Sequence, residues 1–353
     1  MEGILGIGKL IVIFAIMFAI LSFKKPLWMA GLAGALATIL LFFLPAEGVG
    51  AVSHAGGLLW ETVTSYEMWL LLGVTYMFSF MQSIMLERGA LDKAEYALAQ
   101  MFNNQRINVL LIPVIMGLLP TPGSILLAAP IIDANVGDRY SKIDRAFITS
   151  YLRHIPEAWL PTYTTTILAV MISGVSMASF LIGMLPLTIL MLVLIYLFYV
   201  RHIDKDTGME HNSRGFWKEF GSLAGALWPI LLIMALIIAM PVFSELFIKT
   251  GAPFLSDVLG PALGNVDILL ISFVVIVIYV IACKIPARNI PGMLKKAFLP
   301  KMLAGMAAIL IFKGMLSDTG AVNELADALQ MLPLPTFLVF ALIFFLGSIV
   351  AGS

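Results

Sequence analysis

Apolar stretches about as long as a bilayer is thick recur along this chain, and they constrain its fold more than any other feature. Of 353 residues, 61% are hydrophobic and only 12% are charged, whereas charged residues make up about a quarter of an ordinary soluble domain. A membrane helix needs about 20 apolar residues. Runs near this length lie at residues 4–23, 27–44, 68–86, 180–200, 223–243 and 266–283, with shorter ones at 301–316 and 334–350. The sequence therefore predicts an all-α polytopic membrane protein.

One apolar run is interrupted at its middle by residues 120–124. Pro120 and Pro122 cannot donate backbone hydrogen bonds, so a regular helix cannot continue through them. The apolar arms on either side, residues 107–119 and 125–132, are each too short to cross a bilayer. Two short helices that meet at a polar tip form a re-entrant hairpin. A single membrane helix with a proline kink is the alternative.

The basic residues are grouped in a way that predicts the orientation of the chain. Lys and Arg cluster at residues 24–25, 88–106, 139–145, 201–218 and 284–301, and none lies at 45–87, at 154–200 or after Lys313. Cytoplasmic loops are enriched in Lys and Arg, so we expect a multi-pass protein of the cell membrane with its N-terminus outside. Arg106 and Arg139, which flank the interrupted run, then lie on the same side, and this favours the hairpin.

A short internal repeat predicts two related halves. Residues 88–98 align with residues 319–329, and each copy follows a membrane helix and precedes an apolar run with a small-residue break. The first copy carries two basic residues, Arg88 and Lys93, and the second carries none, which is expected of opposite sides of a membrane. Inverted repeats with broken helices are typical of secondary transporters. A chance match between alanine-rich segments is the alternative. We expect a first repeat at residues 1–200, a cytoplasmic linker at 201–222 and an inverted second repeat at 223–353.

The hairpin tip is the first candidate binding site. Backbone N–H groups and the helix dipole at a helix N-terminus favour anions. The tip residues with this role are Thr121, Gly123 and Ser124, and the matching break of the second repeat is Gly352 and Ser353. The prolines also free the carbonyls of Met116 and Leu118, which could hold sodium. Packing of the tip against neighbouring helices is the alternative.

The second candidate site lies in the apolar segment 145–173, which contains Arg153, His154 and Glu157. Charges at membrane depth are costly, so they are usually functional or paired. Arg153 could hold a carboxylate through a bidentate fork, and His154 could carry a coupled proton because it titrates near neutral pH. In the alternative, Arg153 and Glu157 only neutralise each other across one helical turn.

Two prolines predict a break in this same helix. Pro156 removes the helical partner of the Leu152 carbonyl, and Pro161 removes that of the Glu157 carbonyl. Hydroxyl groups would come from the residues that follow, Thr162, Thr164 and Thr165. We expect these carbonyls and hydroxyls to line the binding site together with Arg153.

These motifs resemble those of the ion-transporter superfamily, which holds arsenite, citrate, gluconate and dicarboxylate carriers, and most nearly an uncharacterised branch of it. Residues 119–124, 151–157 and 162–166 carry the resemblance. It implies two inverted repeats, each with a re-entrant hairpin and a broken helix whose tips form the substrate site. The Ser-Asn-Thr signature of the dicarboxylate carriers is absent. By this layout the second repeat is incomplete, lacking about 70 residues by comparison with the first; a shortened transporter is the alternative.

The predicted function is secondary active transport of a small organic anion by alternating access, coupled to sodium or protons. An ion channel and a non-transporting membrane scaffold are the alternatives. Metalloprotease, serine-hydrolase and P-loop motifs are absent from the sequence, so we expect no enzyme and no cofactor beyond the coupling ion. A formal net charge of zero predicts no nucleic-acid partner. The expected partners are the anion and the lipid bilayer, and a homodimer is left open.

Overall fold

The computed structural model describes residues 2–102, 104–118, 132, 140–161, 163–204, 215–249, 269–323, 335, 338 and 341. Within these ranges every element of regular structure is helical. In chain order the α-helices are α1 (Glu2–Ser22), α2 (Leu27–Thr38), α3 (Leu44–Glu47), α4 (Gly50–Thr64), α5 (Tyr66–Glu87), α6 (Ala90–Met101), α7 (Gln105–Met116), α8 (Lys142–His154), α9 (Thr164–Ser173), α10 (Met177–Phe198), α11 (Phe216–Lys249), α12 (described over Leu269–Ala282), α13 (Ile290–Ala297) and α14 (Pro300–Asp318).

Five helical segments of the described chain are long and apolar enough to cross a membrane. They are Leu27–Glu47, Tyr66–Glu87, Met177–His202, Phe216–Ile237 and Pro300–Asp318. The prediction of an all-α membrane protein with several spanning helices is therefore confirmed. The arm after the interrupted run, residues 125–132, lies almost wholly outside the described residues, so the re-entrant hairpin stays a prediction.

The second membrane segment runs further than the sequence predicts. We expected it to end before Pro45, but helix continues to Glu47 through a π-helical turn at Ile39–Phe43. The N–H of Leu44 reaches back to the carbonyl of Ile39 in this wider turn. A π turn shifts the hydrogen-bond ladder by one residue, and Pro45 follows this shift as one of the first residues of α3. The predicted end of this membrane segment was wrong because Pro45 lies at the start of α3, where the backbone N–H that proline lacks is not needed for the helix to continue.

Contacts divide the described chain into two compact units. The first takes residues from Met1–Gly73 and Leu299–Ser353, and the second from Val74–Phe298. These units are defined only by contacts between residues, and such units do not test a sequence repeat. The predicted repeat boundaries at residues 200 and 222 therefore stay a prediction. In the first unit α2 packs directly on α14: a Cβ added to Gly31 would lie 2.9 Å from the carbonyl carbon of Ala308.

His54 joins the ends of two membrane segments within the first unit. Its Nδ1 lies 2.7 Å from Glu47 Oε1, and its Nε2 lies 3.1 Å from Asp318 Oδ2. The ring stacks on Phe43 with 4.7 Å between ring centroids. Since each ring nitrogen faces a carboxylate, the imidazolium form, which donates from both nitrogens, fits this position.

This contact predicts a pH-dependent stability. The hydrogen bond to Glu47 raises the pKa of His54 above its ordinary value; partial burial opposes the shift, and the charges of Glu47 and Asp318 add to it. Because the pKa of His54 is higher in the folded state than in the unfolded state, protonated His54 stabilises the fold. This stabilisation is complete below the unfolded-state pKa of about 6.5 and is lost as the pH rises through the folded-state pKa. We therefore expect the unfolding temperature in detergent to fall as the pH rises from about 6.5 through the folded-state pKa of His54. His54→Gln should flatten that part of the profile; a fall that persists in His54→Gln would contradict the assignment.

Candidate functional site

The charged candidate site lies where the helix between residues 142 and 173 is broken. Helix α8 ends at His154, a 3₁₀ turn covers Pro156–Ala158, and α9 begins at Thr164. The two prolines account for this break, because neither Pro156 nor Pro161 can donate to the carbonyl four residues earlier. The break leaves a short irregular segment, buried or half-buried where it is described, with Arg153 and His154 at one end.

The carbonyls that these prolines release are engaged within the break. The Leu152 carbonyl accepts from the N–H of Ile155 at 3.3 Å. The Glu157 carbonyl accepts from the hydroxyl of Thr166 at 3.2 Å. Each carbonyl therefore has a replacement donor, from the tight turn or from Thr166 in the first turn of α9, and the expectation that both line a binding site stays a prediction.

The end of α7 is packed against this break. Its carbonyl at Gly117 accepts a buried hydrogen bond of 2.6 Å from the hydroxyl of Tyr163. A Cβ placed on Gly117 would overlap the carbonyl oxygen of Arg153 and would lie 3.1 Å from Cγ of Pro156. The backbone at the end of α7 therefore lies so close to the Arg153 backbone that only glycine, which has no Cβ, fits at position 117 without a shift. Gly117 and Arg153 are far apart in sequence.

Arg153, His154 and Glu157 form a chain of contacts. Nη1 of Arg153 lies 3.4 Å from Nε2 of His154, and Nδ1 of His154 is hydrogen-bonded to Oε2 of Glu157. A guanidinium only donates and an ionised carboxylate only accepts. This arrangement therefore suits the neutral imidazole with its proton on Nδ1, which accepts from Arg153 and donates to Glu157.

These three side chains differ in their exposure. Arg153 is 7% exposed, whereas the side chain of His154 is 48% exposed and that of Glu157 33%. A buried cation is thus covered by a histidine that solvent can reach.

A compact apolar core holds the helices that carry this site. Ile148, Leu152 and Ile155 of the α8 segment are each no more than 1% exposed and belong to a cluster with Val109 of α7 and Val200 after α10. Polar contacts add to this packing. The hydroxyl of Tyr151 donates to the Met191 carbonyl at 3.2 Å, and that of Tyr140 donates to the Tyr199 carbonyl at 2.6 Å.

The remaining predicted site residues are distributed as follows. Thr164 is the first residue of α9, and Thr165 is exposed. Met116 ends α7, and Leu118 follows in a turn, donating its N–H to the Ile115 carbonyl at 3.0 Å. Lying outside the described residues are Thr121, Gly123, Ser124, Thr162, Gly352 and Ser353.

Three residues at the site were missed from the sequence: Gly117, Tyr163 and Thr166. Thr166 is 2% exposed and Tyr163 6%, and both bond to backbone carbonyls at the break. Helical spacing from Tyr163 places Thr166, not Thr165, on the same side of α9. That spacing was readable in the sequence, but the partner carbonyl of Gly117 was not.

The fold and this break define an all-α polytopic membrane protein with a charged, discontinuous helix. Residues 7–281 match the family model described as "Protein of unknown function (DUF401)". The chain belongs to this DUF401 family. Neither a curated protein nor a solved structure matches the chain.

Proposed function

We propose that this protein is a secondary transporter that carries a small organic anion across the membrane by alternating access. The observation that carries the proposal is the buried Arg153 at the end of a broken helix, which we place in the membrane. Ionisable groups at such positions are rare and usually mark substrate or ion pathways. Arginine matches carboxylates through a planar fork of donors, so an anion is the substrate class that suits this residue.

His154 supports coupling of this anion to protons. In its neutral form the imidazole accepts from Arg153 at Nε2. Protonation of Nε2 would replace that acceptor with a donor and place two positive charges side by side. An anion that binds Arg153 would relieve this repulsion, so proton binding and anion binding would favour each other. Sodium at the carbonyls of Met116 and Leu118 is the alternative coupling ion.

The finer features of the transporter are part of the same proposal. We infer two inverted repeats with re-entrant hairpins, a cell-membrane location with the N-terminus outside, and a relationship to the ion-transporter superfamily. The Lys/Arg distribution supports the orientation, and the helix break at Pro156–Ala158 matches the discontinuous helices that such repeats contain.

Uptake into proteoliposomes tests the function. Purified protein would be screened on solid-supported membranes with carboxylates and oxyanions, with and without sodium and with an imposed pH gradient. We expect an anion to accumulate against its gradient and a protonophore to collapse the accumulation. Ionophore-insensitive flux would indicate a channel. No flux of any anion, together with retained binding of a protein partner, would indicate a scaffold.

A further inference from the structure

Helix α5 carries three polar residues on one face, and the protein covers all of them. Thr75, Ser79 and Gln82 are 3%, 8% and 7% exposed, and their helical spacing aligns them along one side. Among the five candidate spanning helices of the described chain, α5 is the most completely covered by protein. These polar groups therefore face the protein interior.

Gln82 shows that this face does more than pack. Its side-chain nitrogen Nε2 is buried and has no hydrogen-bond partner among the described residues. An unpaired amide in apolar surroundings is costly, so buried polar groups in native proteins are satisfied by protein, water or a ligand. Leucine has a similar volume and would avoid this cost. We therefore expect a hydrogen-bond acceptor from outside the described protein to meet Nε2.

The chemistry of this face selects the ligand. Hydroxyls and amides both donate and accept hydrogen bonds, but Nε2 of Gln82, which has no partner among the described residues, only donates and therefore needs an acceptor atom. The charged residues of α5, Glu67 and Glu87, lie near its two ends. We propose that Thr75, Ser79 and Gln82 line a site for the oxygen atoms of a small anion, either a carboxylate or an inorganic oxyanion. The site deepens the proposed function, on which it rests, because it gives the transported anion a contact surface separate from Arg153.

Cysteine accessibility tests the site without any transport measurement. Thr75→Cys, Ser79→Cys and Gln82→Cys would each be made in a Cys283→Ala background. Their reaction rates with an anionic and a cationic methanethiosulfonate of similar size would be compared in detergent, each corrected for its reactivity with a free thiol. We expect reaction at all three positions, severalfold faster with the anionic reagent. Ile84→Cys is the matched control, because Ile84 is fully buried on the far side of α5, and it should react with neither.

The labelling outcomes decide the proposal. Failure of all three cysteines to react, as expected of Ile84→Cys, would show a dry packing face and overturn it. Equal rates with both reagents, or faster reaction with the cationic one, would show a crevice without anion preference and would also overturn it. If wild-type protein transports no anion but the charge preference is found, the transport proposal fails and the anion site stands.

Gln82→Leu adds a functional readout. If Nε2 contacts the anion, uptake of the best carboxylate from the screen should fall at least tenfold, while the unfolding temperature in detergent stays the same or rises because a buried unpaired donor is removed. Unchanged uptake, or a loss of uptake with a matching fall in the unfolding temperature, would assign Gln82 a structural role and overturn the proposal.

Discussion

Arg153→Ala is expected to lower anion uptake at least about tenfold. A hydrogen bond to a charged group contributes about 1.5–3 kcal/mol, and each 1.4 kcal/mol corresponds to about tenfold in affinity. Arg153→Lys should impair uptake nearly as much, because lysine keeps the charge but loses the planar fork. Initial uptake rates in proteoliposomes, at matched protein content, measure both effects.

Three further variants separate substrate binding by Arg153 from simple charge balance. Lys142→Ala removes an exposed positive charge at the start of the same helix and should leave uptake unchanged. His154→Gln should spare substrate binding and flatten the pH dependence of uptake. If Glu157→Ala restores uptake to Arg153→Ala in the same chain, Arg153 only neutralises Glu157 and its role in binding is refuted.

Gly117→Ala is expected to destabilise the protein and to reduce uptake together. The backbone at Gly117 has φ −69° and ψ −13°, which any L-residue adopts, so the obstacle is space alone. The added Cβ would overlap the Arg153 carbonyl oxygen, and backbone must move to admit it. Overpacking of this kind costs about 1–3 kcal/mol. The shift would also lengthen the hydrogen bond from Tyr163 and displace the Arg153 side chain.

The unfolding temperature in detergent and the uptake rate would both be measured for this variant. Gly183→Ala is the matched control: Gly183 lies within α10, and a Cβ there would meet nothing within 4 Å. Because glycine in a helix is less favourable than alanine by about 0.5–1 kcal/mol, the control should be neutral or slightly stabilising. A Gly117→Ala protein as stable as the control would show that α7 does not press on the Arg153 segment.

Membrane character was predictable from the sequence because a bilayer imposes a minimum apolar length on any helix that crosses it. α5 and α14 lie close to the predicted runs 68–86 and 301–316. Helix ends were less predictable. Pro45 does not end its helix, because a π turn precedes it, whereas α8 ends two residues before Pro156 and no α-helix resumes until Thr164. Proline lacks a backbone N–H in every case, but whether the helix continues depends on the conformation of the turn that precedes the proline.

The sequence by itself determined which residues carry charge within a largely apolar segment and where a helix must break. Arg153, His154 and Glu157 were found in this way because isolated charges in an apolar segment are visible locally. Tertiary structure decided their partners. The i,i+4 spacing indicated a pair between Arg153 and Glu157, and in the folded chain His154 contacts each of these two residues as well.

Contacts between distant segments were decided only by the folded chain. Gly117 meets Arg153 and Tyr163, and His54 meets Asp318, across sequence separations that no local pattern records. Helical periodicity shows which face of each helix is polar or small, but not which other helix covers it. That choice depends on the fit of whole surfaces and on buried polar groups finding partners, and it is made only when the helices pack together.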